Sequence, residues 1–159
     1  NRVRRQRQMC IRDRPIPMLF WDKDDKLITS NKKSREFHKN YSIKLDNGST
    51  WQNLFENQLK KNIYVIPKNI DVKKFAKQRA NSRKKLLSSS QREVKLRDGT
   101  TNLSSEIRLE DGSLLSVFTD ISDIKEREGK LTQLTDAIEI LPNDVMLWDE
   151  QNNLVRRIK

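Results

Sequence analysis

Apolar and polar residues alternate through residues 92–120, which is typical of half-buried strands. The alternating apolar positions are Val94 and Leu96, then Ile107 and Leu109, then Leu115 and Val117. Asp98-Gly99 and Asp111-Gly112 separate the three runs. Asp-Gly favours a two-residue primed turn, whose positive φ angles suit the twist of the flanking strands. The pattern therefore predicts a three-strand antiparallel meander.

Two shorter apolar runs and three helical patterns precede the meander. Residues 17–22 and 26–30 predict two strands around a polar turn, because apolar residues flank a run of Asp and Lys. Helical spacing and capping residues predict helices over 31–41, with Asn31 as N-cap, over 51–63, with Ser49 or Thr50 as N-cap, and over the basic segment 71–87. Strands, then helices, then strands define an α+β domain.

The first predicted hairpin recurs 127 residues later. Met18–Ile28 aligns with Val145–Val155, and Trp21-Asp22 matches Trp148-Asp149. A repeat at this distance corresponds to a whole domain and a linker rather than to a solenoid unit. Chance similarity is the alternative. We therefore expect residues 142–159 to be the truncated start of a second domain.

Charge is unevenly distributed, with an excess in the opening segment. The chain of 159 residues has a net charge of +11, and residues 1–14 contain six arginines, one aspartate and the only cysteine, Cys10. These residues are interpreted either as a disordered basic arm or as an artefact, since MCIRDR resembles a translated sequencing adapter of the kind found in metagenomic contigs. Elsewhere charges are interspersed, and no apolar run reaches the roughly 18 residues of a membrane span.

The entry and exit of the domain carry a family resemblance. FTDISDIKERE (Phe118–Glu128) is similar to the motif that closes many bacterial PAS domains, and Asp22, Leu27 and Asn31 match the usual entry hairpin. Residues 15–123 resemble a PAS domain, in particular the tandem repeats of alphaproteobacterial sensor histidine kinases and nucleotide cyclases. The resemblance implies a five-stranded antiparallel sheet flanked by short helices and followed by a C-terminal linker helix.

The resemblance also implies a signal-transfer motif after the last strand. Its members are Asp120, Ile121, Ser122, Lys125 and Glu128. In the family the acidic residue commonly pairs with a basic side chain that joins the exit helix to the sheet. The simpler alternative is a helix N-cap formed by Asp120 or Ser122, and the two are compatible.

An amphipathic linker helix is expected over 124–141. Ile124, Leu131 and Ile138 are spaced by seven residues, and Leu134 and Leu141 lie three beyond the last two. This spacing predicts a possible dimer helix, so that the chain forms a homodimer through the linker and the PAS domain. A plain amphipathic linker packed on its own domain is the alternative, because the stripe spans little more than two heptads.

No cofactor can be assigned from the sequence. The flavin-photoadduct branch of the family needs a helix cysteine, and no cysteine follows Cys10. Haem-binding members commonly use a helix histidine, but His38 is the only histidine and is predicted to lie at the surface. The sequence therefore argues against a flavin adduct and against haem. One histidine and scattered carboxylates also give no metal-ligand spacing.

Catalytic motifs are absent, so the fragment is not expected to be an enzyme. The predicted function is a sensory or relay module of a bacterial signalling protein, in the cytoplasm. Its output domain, a histidine kinase or a nucleotide cyclase, would follow in the same chain. The alternative is a basic nucleic-acid-binding protein, but the cations of 71–87 spread around the helix without an aromatic platform and predict a solvated face.

Overall fold

The computed structural model describes residues 14–139, 145–151 and 153–158. The predictions for residues 1–13, and for Leu141, lie outside the described residues. The chain divides into two compact units, with the boundary after Ile121.

The first unit is an α+β fold built on one five-stranded sheet. Its elements are β1 (Met18–Trp21), β2 (Leu27–Ser30), α1 (Lys32–Asn40), α2 (Trp51–Lys60), α3 (Val72–Lys84), β3 (Ser89–Lys95), β4 (Thr101–Arg108) and β5 (Leu114–Asp120). Each neighbouring pair of strands in the order β2-β1-β5-β4-β3 is antiparallel. The predicted segments 17–30 and 92–120 therefore lie side by side in one layer, and the predicted fold class is confirmed.

Each of the three helices begins after a residue whose side chain caps it. Asn31 Oδ1 accepts a hydrogen bond from the backbone N–H of Ser34 at 2.9 Å. Thr50 and Asp71 accept in the same way from backbone N–H groups three residues later, at 3.3 and 2.9 Å. These bonds satisfy N–H groups that lack a partner within the helix. The predicted cap at Asn31 is confirmed, and Thr50 rather than Ser49 caps α2.

Apolar side chains cover both faces of the sheet, because consecutive residues of a strand point to opposite faces. Leu19 and Trp21 of β1 belong to the main core, together with apolar residues of the helices. Met18 and Phe20 belong to a second cluster on the opposite face, with Leu115 and Val117 of β5. The main core therefore lies between the helices and one face of the sheet.

The two Asp-Gly turns differ from the predicted two-residue primed turns. In the first loop Leu96 N–H donates to Thr100 O at 2.9 Å, and Gly99 N–H donates to Leu96 O. The loop after Leu109 repeats this pattern, and in each loop only the glycine has positive φ, at 94° and 79°. Both are three-residue loops, in which glycine occupies the left-handed position after a turn. The prediction was wrong because the residue before Asp-Gly joins the loop in each case.

The hairpin β1–β2 has the same loop with a different residue at the left-handed position. Asp22 N–H donates to Lys26 O at 2.9 Å, and Asp25 N–H donates to Asp22 O at 3.1 Å. Asp25 has a φ of 60°, where the other two loops have glycine. A residue with a side chain is rarely found there, and it costs about 1–2 kcal/mol relative to the right-handed conformation.

The second unit contains α4 (Ser122–Glu139), β6 (Val145–Trp148) and β7 (Leu154–Ile158). The hairpin β6–β7 has the local geometry of β1–β2. Its pairing shifts register before Trp148, as that of β1 and β2 does before Trp21. Asp149 Oδ1 accepts from backbone N–H groups two and four residues later, at 3.0 and 2.8 Å, and Asp22 Oδ1 makes the same two bonds.

Candidate functional site

A cavity of about 690 Å³ lies in the first unit, between the helices and the sheet. Aromatic rings form much of its wall. Trp51 stacks on Phe55 with ring centroids 4.8 Å apart, and Phe55 lies 5.9 Å from Tyr64 and 6.0 Å from Phe75. This volume and this apolar lining are typical of small-molecule sites, whose cavities measure about 300–1,000 Å³. The cavity can therefore admit a ligand of modest size.

Arg83 of α3 forms a buried ionic cluster at the cavity wall. Its Nε donates to Asp25 Oδ1 at 3.0 Å, and its Nη1 donates to Glu106 Oε1. The Arg83 side chain is 2% exposed, against 8% for Asp25 and 17% for Glu106. One cation with two carboxylates leaves a local net charge of −1. The cluster joins α3 to the first hairpin and to the centre of the sheet.

Two tryptophans enclose the same guanidinium. The Arg83 Cζ lies 5.2 Å from the centroid of Trp21 and 5.1 Å from that of Trp51. Cation–π attraction contributes about 2 kcal/mol or more where the ion is desolvated. Ser116 Oγ accepts from Trp21 Nε1 at 3.0 Å and, at longer distances, from Arg83. These contacts fix the plane of the guanidinium.

Asp25 links its unusual backbone conformation to this cluster. Its carbonyl accepts from the N–H of Trp51 at 2.9 Å, so the loop also holds the start of α2. Its Oδ2 is buried and has no hydrogen-bond partner among the described residues. A buried oxygen without a hydrogen-bond partner is costly, so the carboxylate depends on the ion pair between its Oδ1 and Arg83.

A chain of hydrogen bonds leads from α1 to the cavity. His38 Nδ1 lies 2.7 Å from Ser34 O, and the amide of Gln58 lies 2.9 Å from His38 Nε2. Tyr64 OH donates to Gln58 Oε1 at 3.1 Å. Since a carbonyl can only accept, Nδ1 carries the proton and Nε2 accepts from Gln58. Gln58 and Tyr64 both line the cavity.

Burial perturbs the two ionisable groups of this chain. Desolvation lowers the pKa of His38, and its hydrogen bond to Ser34 opposes that effect only in part. Desolvation also raises the pKa of Tyr64. Both groups are therefore neutral at pH 7, which suits a hydrogen-bonded wall rather than an acid–base site.

The prediction that His38 lies at the surface is wrong. The residue is 1% exposed, because it packs edge-on against Phe37 at 5.2 Å and bonds to Ser34 and Gln58. Both ring nitrogens are thereby engaged, so neither is available as an axial haem ligand. The described lining of the cavity contains no cysteine. Among residues 14–139, 145–151 and 153–158, no group of His, Cys, Asp and Glu could hold a metal ion.

The predicted solvated face of the basic helix needs a correction at one position. Arg83 is buried, whereas most lysines of α3 are exposed. Its position in the sequence gave no signal, since its partners Asp25 and Glu106 are 58 and 23 residues away. The arginine cluster was therefore not predicted from the sequence. The one available signal was Asp25 itself, at the place where the other two hairpins have glycine.

The predicted signal-transfer residues surround the junction of β5 and α4. Asp120 ends β5 opposite Asn102, and Ile121 N–H donates to Thr101 O at 2.8 Å. Ser122 begins α4. Within α4, Lys125 Nζ lies 3.0 Å from Glu128 Oε2. The role of the motif in signal transfer stays a prediction.

The predicted dimer residues lie on α4, as far as the structure describes them. Ile124, Leu131 and Leu134 are 55%, 66% and 61% exposed. Ile138 lies within the helix, and Leu141 falls outside the described residues. The exposed apolar side chains match the heptad spacing of the sequence. Association through this stripe stays a prediction.

The described helices include none that is long and apolar enough to cross a membrane.

The architecture is that of a PAS domain. The PAS domain of BvgS from Bordetella pertussis is similar in structure, with a TM-score of 0.55 and 15% sequence identity over 86% of this chain and 99% of that one. No family model and no curated protein matches the sequence. The chain thus adopts the PAS fold.

Two further solved structures are similar over less of their own length. The RsLOV d2 variant has a TM-score of 0.48 and 11% identity over 76% of this chain and 68% of that chain. The phage VqmA–DPO complex has a TM-score of 0.48 and 15% identity over 89% and 61%.

Proposed function

We propose that the chain is a sensory or relay module of a bacterial signalling protein, and that it acts in the cytoplasm. The observation that carries this function is a ligand-sized cavity in a PAS fold whose last strand leads directly into a long helix. A change at the cavity wall would reach β5 through Arg83 and Ser116, and β5 continues into α4. The output would be a histidine kinase or a nucleotide cyclase in the same polypeptide.

In this function α4 pairs with α4 of a second copy. Support comes from three exposed apolar residues at heptad spacing, Ile124, Leu131 and Leu134. Gly129 lies between them and weakens the helix by about 1 kcal/mol relative to alanine. A weak point in a short coil favours exchange between two packings, which a relay requires.

The dimer can be tested by sedimentation of the full chain. Leu131→Asp is expected to weaken association at least about tenfold, since it places a charge in an apolar seam. Gln133→Asp is the matched control, because Gln133 is exposed on the same helix outside the stripe. A chain that stays monomeric at all concentrations, or equal effects of the two variants, would contradict the dimer.

The relay is tested in a chimera with a histidine kinase core joined after α4. Insertion of seven residues into α4 keeps the stripe in phase, whereas insertion of two residues rotates it by about 200°, because each residue turns the helix by about 100°. Autophosphorylation is expected to survive the first insertion and to change with the second. Activity that is independent of insertion length would contradict transmission through the helix.

We also propose that β6–β7 begins a second PAS domain. Support comes from its shared geometry with β1–β2 and from its exposed apolar residues. Trp148 is 55% exposed and Leu154 48%, whereas the matching Trp21 and Leu27 are buried in the first domain. An isolated two-stranded hairpin is at best marginally stable, so its apolar face needs further strands or a helix to pack against, which the rest of such a domain would supply.

Nucleic-acid binding has less support. Arg83 forms internal ion pairs. Arg108 donates hydrogen bonds to the backbone carbonyls of Arg83, Leu86 and Gly112, so both guanidinium groups are engaged within the protein. Five aromatic residues of the first unit line the cavity and form no exposed stacking platform, and Trp148 is the exposed ring in the described part of the second unit. Salt-sensitive binding of the full chain to DNA would favour this second function.

A further inference from the structure

The cavity has an acidic inner part and a basic outer part. Strand pairing places Ser90, Glu106 and Ser116 in one row across the sheet, next to the buried Arg83. Arg83 pairs there with Glu106 and with Asp25, which is buried outside the lining, so the cluster as a whole carries a net negative charge. A ligand that entered with an anionic group first would meet repulsion.

The outer part of the lining contains three cations and one carboxylate, Glu93, and therefore carries a net positive charge. Arg92 lies in the next row of the sheet, opposite Ser104, and is exposed. Arg79 of α3 is half-buried, and Lys95 at the end of β3 is exposed. Within the described part of the chain, none of these three cations forms an ion pair with a carboxylate.

The space between these two parts is bounded by flat apolar surfaces. Phe55 and Phe75 face it with ring centroids 6.0 Å apart, and Phe118 lies in the row of Arg92 and Ser104. Aromatic side chains favour planar rings, through stacked or edge-on contacts of about 0.5–1.5 kcal/mol each beyond area burial.

We propose that the cavity binds a planar aromatic carboxylate, an inference that rests on the proposed sensory role. The ring lies between Phe55, Phe75 and Phe118, and the carboxylate points outward to Arg79 and Arg92. A cationic ligand would meet like charge at the entrance. A neutral one would lose the charge-assisted hydrogen bonds that arginine makes to a carboxylate.

The charge preference can be measured with three naphthalene probes that differ only in one substituent. Naphthalene-2-carboxylate, 2-naphthamide and 2-naphthylmethylammonium are titrated into the full chain by calorimetry. The carboxylate is expected to bind about tenfold more tightly than the amide and still more tightly than the ammonium. Equal affinities, tightest binding of the ammonium, or no binding of any probe would overturn the proposal.

Three variants locate the binding. Arg92→Gln is expected to remove the tenfold preference for the carboxylate, and Ser104→Trp to abolish binding by filling the cavity. Lys77→Gln removes the same charge from an exposed position of α3 outside the cavity lining and is expected to leave the preference unchanged. Equal effects of Arg92→Gln and Lys77→Gln, or unchanged binding to a folded Ser104→Trp protein, would overturn the site.

A failure of the proposed ligand can be distinguished from a failure of the proposed sensory function. Sedimentation and the helix-insertion series use no ligand, so they report on the dimer and the relay alone. A chain that passes those tests and binds none of the probes is a relay without an aromatic-acid ligand.

Discussion

At the scale of single residues, the unexpected feature is a charged side chain in the core. Arg83 is buried between two tryptophans and ion-paired to Asp25 and Glu106. Arginine is almost never fully buried unless it is paired, so the sequence alone predicts a position at the surface. Its burial depends on partners far apart along the chain, which no local pattern contains. The same reason explains why the environment of His38 could not be predicted.

Replacement of Arg83 by methionine is expected to destabilise the protein strongly. The change leaves two poorly solvated carboxylates without their cation, which costs about 3–5 kcal/mol for a buried ion pair. Unfolding in urea, followed by tryptophan fluorescence, measures the loss. Lys84→Met is the control, since Lys84 is the exposed neighbour on α3, and it should change the unfolding free energy by less than about 0.5 kcal/mol. Similar losses for both would show that the cluster adds no stability.

The stability of the protein is expected to depend on the protonation of His38. Because burial lowers its pKa in the folded state, the unfolded chain binds the proton more readily. Stability is therefore fully present above about pH 6.5, the unfolded pKa, and decreases as pH falls toward the folded pKa. Unfolding free energies between pH 7 and pH 5 measure this slope.

His38→Gln should flatten the slope in that window, even if it lowers stability overall. His38 is the only histidine of the chain, so its ring resonances also give the folded pKa directly by NMR. An unchanged slope in the variant, or a folded pKa above 6.5, would exclude His38 as the source.

At the scale of elements, the sequence predicted where the strands and helices lie but not how the hairpins turn. Alternation and capping residues located them because both are local properties of a few consecutive residues. Loop length depends on the register of the paired strands, and the Asp-Gly dipeptide alone does not determine that register. Two of the loops require glycine, and in the third Asp25 takes its place.

Gly99→Ala is expected to reduce the unfolding free energy by about 1–2 kcal/mol, because its φ of 94° is unfavourable for a residue with a Cβ atom. Nothing lies within 4 Å of the added Cβ, so the loss would come from the backbone alone. Gly129→Ala in α4 is the matched comparison. The Cβ atom that this change adds also meets no atom within 4 Å, and helix propensity favours alanine over glycine by about 1 kcal/mol. A stabilising Gly99→Ala change would argue against the three-residue loop.

At the scale of the whole molecule, the chain contains one complete PAS fold and a hairpin that repeats its beginning. The repeat was recognisable from sequence, because the same apolar and acidic residues recur at a fixed offset. The cavity was not, because its wall is assembled from α2, α3 and three strands. Positions that meet only after folding leave no pattern along the chain.

If β6–β7 begins a second domain, a longer chain that contains the rest of it should bury Trp148. Quenching of tryptophan fluorescence by acrylamide measures this as the difference between each protein and its Trp148→Phe variant, which keeps Trp21 and Trp51 in place around Arg83. Trp148 should be accessible in the present chain and protected in the longer one. Equal quenching in both would contradict the second domain.

Asp25 and Arg83 cannot change independently without cost. Glycine at position 25 would adopt the positive φ angle without strain but would remove a carboxylate that pairs with Arg83. An apolar residue at position 83 would remove the positive charge that the Asp25 carboxylate neutralises. Each step alone leaves a buried charge with fewer partners, and even both steps together leave Glu106 without its cation. The cluster is thus expected to show epistasis, in which the cost of losing Arg83 depends on which of its two carboxylate partners is still present.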